Sequence, residues 1–246
     1  MADHFGPVAS RYAAFRPDYP DNLFEWLVEI SPQHNLAWDC GAGSGQATAA
    51  LAKHFKQVHG SDISAAQLDS AMQLPNVCYR VAPAEHSGLP DGFIDLVTVA
   101  QALHWFDLGS FYREVRRVLR PQGIIAVWGY NRLIIDNPEV QRKLEAFYDK
   151  EIGAYWPPER IHVETGYRDL PFPFQRIDAP QFLLQKEWTR DHLLGYLRSW
   201  SAVARFQAAN GFDPVVAFAE RIAHDWPEKI PLRISWPLFM HVGRVA

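Results

Sequence analysis

The stretch that decides the fold is DCGAGSGQ, which runs from Asp39 to Gln46. Three glycines alternate there with small residues, and they follow the mostly apolar run NLAWDC at 35–40. Glycine is needed where a turn is tight or where a ligand lies against the backbone. The stretch therefore predicts a strand, a glycine-rich turn and a helix, the unit that binds ligands in open α/β sheets.

The rest of the first half continues this alternation. Further strands are predicted at QVHGSDI (57–63), VCYRVA (77–82), IDLVTVA (94–100) and IIAVWGY (124–130), with helical periodicity between most of them. Strands that alternate with helices indicate a doubly wound, mostly parallel sheet in an α/β fold. We predict seven strands in a Rossmann-like arrangement, with a helical cap inserted in the C-terminal half.

The pattern changes after Tyr130. A helix near 138–150 precedes the proline-rich and aromatic run at 154–174, and a strand is predicted at QFLLQKEW (181–188). Helices near 190–208 and 213–226 precede a last strand around LRISWPLFMHV (232–242). No linker separates these parts, so we predict one domain over 1–246. Its parts are an N-terminal arm and helix (1–34), a ligand-binding core (35–130), and the cap with the end of the sheet (131–246).

Charge and composition exclude several classes of partner. The formal net charge is -4 without blocks of like charge, which gives no reason to expect nucleic acid or an anionic membrane. The two cysteines, Cys40 and Cys78, lie far apart and form no CxxC pair, so a reducing, cytoplasmic location is expected. The histidines show no metal-ligand spacing, and we predict no metal site. No apolar run approaches the ~20 residues of a membrane span, and no signal peptide is expected.

Three ligand classes compete for the glycine-rich turn. A P-loop requires GxxxxGK[ST], and this chain has neither the lysine nor the spacing. A dinucleotide fingerprint GxGxxG/A would place its third small residue at Gln46 or Thr48, and neither fits. The remaining pattern is an acid followed by three alternating glycines, Asp39, Gly41, Gly43 and Gly45.

With this pattern the chain resembles the class I S-adenosylmethionine-dependent methyltransferases over roughly residues 35–130. AWDCGAGSGQATAAL (37–51) resembles their first motif, and GSDIS (60–64) the second, with Asp62 21 residues after Gly41. LPDGFIDLVTVAQALHWFD (89–107) and EVRRVLRPQGIIAVWGY (114–130) resemble the segments of the fourth and fifth strands. Within the family, the chain looks like the type 11 group. YAAFRPDYP (12–20) and ALHWF (102–106) are closest to small-molecule enzymes similar to trans-aconitate methyltransferase.

The resemblance implies S-adenosylmethionine as cofactor and assigns residues to it. Asp62 would accept hydrogen bonds from both ribose hydroxyls, and Ile63 would offer an apolar face to the adenine. The bare backbone of Gly41, Ala42 and Gly43 would approach the ribose and the amino-acid tail. Asp39 would orient either the loop or the amino group of that tail.

Other site residues follow the third and fourth strands. Many relatives place an acid after the third strand to bind the adenine amino group, whereas this chain has RVAPAEHS at 80–87. That role would pass to Glu85 or to the backbone of Ala84. Gln101 and Ala102 would form a wall of the cofactor site. His104 and Trp105 follow the fourth strand, where cofactor and acceptor should meet, and are the catalytic candidates.

The N-terminal arm and the cap are predicted to close over the acceptor. Tyr12 and Arg16 are assigned to the cofactor site as parts of this lid, with Tyr19 beside them and Trp200 from the cap. Tyr196, Trp200 and Phe206 fall at roughly helical spacing, and plain core packing is the favoured interpretation of that spacing. An arginine in a lid suggests an anionic acceptor, because its guanidinium matches a carboxylate.

The predicted function is methyl transfer to a small organic molecule. A carboxylate acceptor needs no general base because it is ionised at pH 7. For a phenol, an amine or a carbon acid, His104 is the base candidate. The alternatives are a protein of the same fold that binds the cofactor without methyl transfer and, less favoured, an NAD(P)-dependent enzyme. We expect a monomer or homodimer that binds neither nucleic acid nor membrane.

Overall fold

Five parallel strands form the first half of the sheet in the computed structural model, which describes residues 17–245. They pair in the order β3-β2-β1-β4-β5 and comprise β1 (Leu36–Cys40), β2 (Gln57–Asp62), β3 (Val77–Val81), β4 (Ile94–Ala100) and β5 (Leu119–Tyr130). The strand order reverses between β1 and β4. In such sheets the carboxyl ends of the two strands at the reversal border a crevice that binds ligands.

Helices connect these strands and cover both faces of the sheet. They are α1 (Asp21–Ile30), α2 (Gln46–Leu51), α3 (Ala65–Asp69), a 3₁₀ turn (Leu103–Trp105) and α4 (Leu108–Val118). α4 begins at Asp107, whose carboxylate accepts hydrogen bonds from the backbone N–H groups of Gly109 and Ser110. It buries Phe111 and Val115 against the sheet, so its apolar spacing explains which face is covered.

The second half carries the cap and the antiparallel strands. Its strands are β6 (Ile134–Ile135), β7 (Gln175–Ile177), β8 (Leu183–Trp188) and β9 (Leu232–Arg244). Its helices are α5 (Pro138–Ala146), α6 (Arg160–Glu164), α7 (Arg190–Arg198), α8 (Ser201–Asn210) and α9 (Pro214–Ile222). A π-helical turn (Phe147–Glu151) and a 3₁₀ turn (Gly153–Tyr155) follow α5.

The strand β9 joins the two halves. Residues 238–244 of β9 pair antiparallel with β5, and residues 232–237 pair with β8. The same strand therefore belongs both to the core sheet and to the base of the cap. Buried apolar clusters match this arrangement, one on each face of the core sheet and a third within the cap.

The predicted α/β fold with a mostly parallel central sheet is confirmed, and three details differ. The described residues form nine strands and not seven, because β6 and β7 are too short to show a period of two. The helix predicted near 190–208 is two helices, which meet at Ser199 and the extended backbone of Trp200. The strand predicted at IIAVWGY (124–130) begins earlier, at Leu119 directly after α4, so RPQG (120–123) lies inside β5 and not between helix and strand.

Candidate functional site

The three glycines after β1 all adopt left-handed backbone conformations. Their φ angles are +71° at Gly41, +55° at Gly43 and +82° at Gly45, a region that favours glycine. A Cβ at Gly41 would lie 2.6 Å from the Cβ of Ala102, and one at Gly45 would lie 2.4 Å from the Tyr79 hydroxyl. The outer two glycines are therefore required by packing. Gly43 has room for a Cβ, because the nearest described atom to that position, Gln67 Oε1, is at an ordinary contact distance of 3.9 Å.

Asp62 lies at the carboxyl end of β2 and touches the glycine loop. Its carboxylate accepts hydrogen bonds from the backbone N–H of Gly43 and of Ser64, both at 2.9 Å. Gly41 and Ala42 donate their N–H groups to the carbonyl of Ser61, so the whole loop is tied to β2. A carboxylate can accept about four hydrogen bonds, so these backbone bonds are compatible with ribose hydroxyls at the same group.

Asp39 is buried beneath the loop. Its two oxygens accept hydrogen bonds from the hydroxyls of Thr48 in α2 at 2.5 Å and Thr98 in β4 at 2.8 Å. Burial is the main reason why the pKa of the Asp39 carboxyl rises to about 6, and the neighbouring Asp62 charge adds to it. Because both oxygens face threonines, the geometry favours loop orientation over contact with the cofactor's amino group.

The residues considered for adenine lie at the edge of the cleft. Ile63 is 39% exposed, so its apolar surface is available beside Asp62. Ala84 is buried, and the Glu85 carboxylate accepts a hydrogen bond from the backbone N–H of Asp107 at 2.9 Å. Glu85 therefore ties the segment after β3 to the start of α4, which is compatible with a second, ligand-binding role.

Gln101 and Ala102 form the turn that follows β4. Gln101 has a φ of +59°, an uncommon backbone conformation for a residue with a side chain, and its amide donates to the carbonyl of Tyr130 at 2.8 Å. Such strain persists only where the surroundings hold it, and it is often found at functional sites. Ala102 packs against Gly41, so this turn adjoins the glycine loop.

His104 and Trp105 follow on the 3₁₀ turn with their rings 4.7 Å apart. His104 Nδ1 shares a hydrogen bond of 2.8 Å with the hydroxyl of the buried Tyr167. Burial, with smaller effects from the charges of Arg160 and His162, lowers the pKa of the His104 imidazole to about 3. His104 is therefore neutral at pH 7 and would be a weak general base.

A pocket opens beside these two residues, between the core sheet and the cap, and we call it the acceptor pocket. It encloses about 690 Å³, including its solvent-facing mouth. It is lined mainly by aromatic and cationic side chains, among them Tyr130, Arg132, Tyr148, Trp156, Arg160, Tyr196 and Trp200.

Trp200 belongs both to the cap core and to the pocket wall. It is 8% exposed, and its ring lies 5.4 Å from Trp156 and 5.7 Å from Tyr196. Phe206 packs instead against Tyr155 at 5.0 Å. Tyr196, Trp200 and Phe206 therefore all pack in the core of the cap, as the favoured interpretation of their spacing has it. Tyr196 and Trp200 also line the pocket.

Tyr12 and Arg16 lie outside the described residues, so the arm of the proposed lid stays a prediction. Tyr19 is described, and its ring packs edge-on against Trp128 at 5.5 Å. That contact places it against β5, near the end where the pocket opens.

One further residue fits the proposed cofactor. The side chain of Gln67 in α3 is buried, and its Oε1 has no hydrogen-bond partner in the part of the chain that the structure describes. This oxygen lies 3.9 Å from the Cβ position of Gly43, on the bare part of the loop. A cofactor with hydroxyl and ammonium donors would satisfy such an acceptor. The glycine loop, Asp62 and Gln67 together suit S-adenosylmethionine, which presents these donors and no phosphate.

Sequence reasoning missed most of the acceptor pocket. Arg132, Tyr148, Trp156 and Arg160 come from segments with no spacing motif, and Gln67 lies in a short helix without a distinctive pattern. The one available signal was the density of aromatic residues at 154–174.

Between residues 17 and 245 no helix is both long and apolar enough to span a bilayer, and no three His, Cys, Asp or Glu side chains are grouped to hold a metal.

Known proteins match the chain in sequence and in structure. The family profile of the methyltransferase domain matches residues 38–127. A Dictyostelium discoideum protein with a provisional methyltransferase name is 37% identical and covers 98% of this chain and 95% of its own. A solved Anaeromyxobacter dehalogenans structure, provisionally described as a type II methyltransferase, is 44% identical with a TM-score of 0.88 and covers 94% of this chain and 98% of its own. A Saccharomyces cerevisiae protein, provisionally named an S-adenosylmethionine-dependent methyltransferase, is 25% identical over 96% of this chain and 95% of its own.

Proposed function

The chain belongs to the class I S-adenosylmethionine-dependent methyltransferases, and from that premise we propose that it methylates a small organic molecule held in the acceptor pocket. One observation carries this proposal. The turn at Gln101–Trp105 has Ala102 against the glycine loop on one side and His104 and Trp105 in the acceptor pocket on the other. A methyl donor and an acceptor would therefore meet at that turn.

The residues that would hold the cofactor are those of the loop and its neighbours. Gly43 offers bare backbone, Asp62 and Gln67 offer acceptors, and Ile63 offers an apolar surface. When bound, S-adenosylmethionine supplies a methyl group on a positively charged sulfonium. The protein's part is to align the acceptor with that methyl group and to exclude water.

A carboxylate is the acceptor group that suits this site best. The lowered pKa of His104 leaves it a weak base, so it would remove a proton from a phenol or an amine inefficiently. A carboxylate oxygen is already ionised and can form its new bond to the methyl carbon while the carbon–sulfur bond breaks and its electron pair stays on sulfur. The products would be a methyl ester and S-adenosylhomocysteine, and no proton moves.

Free metabolites are the proposed partners. The net charge of -4 and the lack of a basic patch in the sequence give no support for a nucleic acid or membrane substrate. The likeness to trans-aconitate methyltransferase stays a prediction, as does a monomer or homodimer.

Calorimetry tests the choice of cofactor. S-adenosylhomocysteine should bind, and NAD(P) should bind much more weakly or not at all. Tighter binding of NAD would contradict the assignment. A metabolite extract incubated with labelled S-adenosylmethionine would then identify the acceptor. Tight cofactor binding without any labelled product would favour the alternative of a cofactor-binding protein that transfers no methyl group.

A further inference from the structure

The described residues that line the acceptor pocket carry positive charge and include no acid. Its described lining contains two arginines, Arg132 and Arg160, and no aspartate or glutamate. Arg132 is neutralised from outside the lining, because its guanidinium reaches both oxygens of Asp149 at 2.9 and 2.7 Å. The two arginines therefore differ, because Arg132 has an acid partner in Asp149 and Arg160 has none among the described residues.

Arg160 is held by neutral aromatic groups. Its Nε donates to the Tyr148 hydroxyl at 3.0 Å, and its guanidinium carbon lies 4.9 Å from the centre of the Trp156 ring. The Tyr148 hydroxyl in turn donates to Glu164 at 2.7 Å, which fixes the phenol. In the part of the chain that the structure describes, Nη1 and Nη2 of Arg160 make no hydrogen bond and no ion pair. A half-buried guanidinium is costly unless an anion compensates it.

Two other polar atoms of the pocket residues are also unsatisfied. The indole Nε1 of Trp156 and the side-chain oxygen of Asn131 are buried and have no hydrogen-bond partner among residues 17–245. A buried polar group without a partner costs about 1–3 kcal/mol, so natural proteins keep few of them. The indole N–H is a donor beside the Arg160 guanidinium, and the Asn131 oxygen is an acceptor.

We propose that Arg160 and the Trp156 N–H bind the carboxylate of the methyl acceptor, which is a planar organic acid packed among Tyr148, Tyr196 and Trp200. The inference rests on the proposed function, because it specifies what the acceptor pocket binds. The guanidinium supplies charge and two parallel donors, and the indole supplies a third. Asn131 accepts a hydrogen bond from a hydroxyl or amino group on the same acid. The selection is for the charge of the acceptor and is independent of which of its atoms is methylated.

Calorimetry with simple acids tests this anion site. Benzoate and trans-cinnamate are titrated, each against its neutral amide, with and without S-adenosylhomocysteine. Wild-type protein should bind at least one acid about tenfold or more tightly than its amide, the effect expected for charge-assisted hydrogen bonds. Arg160→Gln should abolish this preference and leave the affinity for S-adenosylhomocysteine unchanged. Trp156→Phe, which keeps a ring and removes the N–H, should weaken acid binding several-fold.

Arg116→Gln is the matched control. Arg116 also lies over an aromatic ring, that of Phe174 at 4.8 Å, but it is outside the pocket, so this variant should keep the full preference for acids. The proposal is overturned if neither acid binds more tightly than its amide in the wild type. It is also overturned if folded Arg160→Gln, checked by its melting temperature, keeps the preference. A wild type that prefers acids but binds no S-adenosylhomocysteine would contradict the proposed function and leave the anion site intact.

Discussion

The cofactor cleft and the acceptor pocket share one turn but are built from different materials. The cleft is made of backbone, with three left-handed glycines of which Gly41 is bonded to β2 and Gly43 to Asp62. The pocket is made of large side chains, chiefly tyrosines, tryptophans and arginines from the cap. The first surface is bare because a ligand must lie against the chain. The second is crowded with rings and charges, which would select the acceptor if the proposed function holds.

This difference separates the shared part of the reaction from the variable part. A cleft of backbone groups would recognise one cofactor through its hydroxyls and ammonium, and any change in the glycine spacing would move the backbone groups. A pocket of side chains can change its acceptor by substitution without disturbing the sheet. The following experiments test whether the two regions can be perturbed separately.

The largest effect is expected at the glycine loop. Gly41→Ala places a methyl group 2.6 Å from Ala102 in a left-handed backbone conformation, and strain and overpacking together should cost about 3 kcal/mol of folding stability. Urea unfolding measures this loss, and calorimetry should show weaker S-adenosylhomocysteine binding. Gly92→Ala is the control, because its φ of +68° is similar but no atom of residues 17–245 lies within 4 Å of its Cβ position, and it should cost about 1 kcal/mol. Equal losses in the two variants would contradict the close-packing argument.

The buried acid beneath the loop should make stability fall as pH rises. The pKa of Asp39 is raised from 3.8 to about 6 in the folded state, so the folded protein binds the extra proton between these values. Its contribution is fully present below pH ~4 and lost by pH ~7, a change of about 3 kcal/mol. In urea unfolding across this range, the stability of wild type minus that of Asp39→Asn should fall by about 3 kcal/mol as pH rises, because the asparagine does not titrate. A pH-independent difference would mean that the burial of Asp39 does not shift its titration.

Asp62→Ala should act on the cleft alone. Loss of its charge-assisted bonds should weaken S-adenosylhomocysteine binding by about 2 kcal/mol, or roughly thirtyfold. Binding of benzoate to the acceptor pocket should be unchanged. Glu85→Ala is the companion variant, and a smaller effect is expected because its carboxylate is bonded to the backbone of Asp107. Wild-type affinity in Asp62→Ala would refute its proposed ribose contact.

The smallest effect is expected at His104, with the opposite pH dependence to Asp39. The pKa of this imidazole falls from 6.5 to about 3 in the folded state, so only the unfolded chain takes up a proton near pH 6. Stability should therefore be lost as pH falls, by about 1 kcal/mol between pH 7 and 5.5. His104→Gln should remove this part of the acid sensitivity, measured as the difference in urea unfolding between the two proteins. An unaltered acid profile would place His104 in contact with solvent.

The cofactor half could be predicted from the sequence because its determinants are local. The alternating glycines, Asp39 before them and Asp62 at the end of the next strand have fixed spacings, and those spacings follow from strand and turn geometry. The sequence also determined the α/β class and the position of most helices and strands. It could not show that Asp39 faces two threonines, since both hydroxyls come from other elements.

Only the tertiary structure decided the acceptor pocket. Arg132, Tyr148, Arg160 and Trp200 come together because β9 ties the cap to the core sheet, and no period links their positions along the chain. Arg132 is neutralised by Asp149, whereas Arg160 has no acid partner among the described residues, and both facts depend on a few ångströms between side chains from different segments. Local spacing therefore determined where a cofactor would lie, and long-range packing decided which charge faces the acceptor.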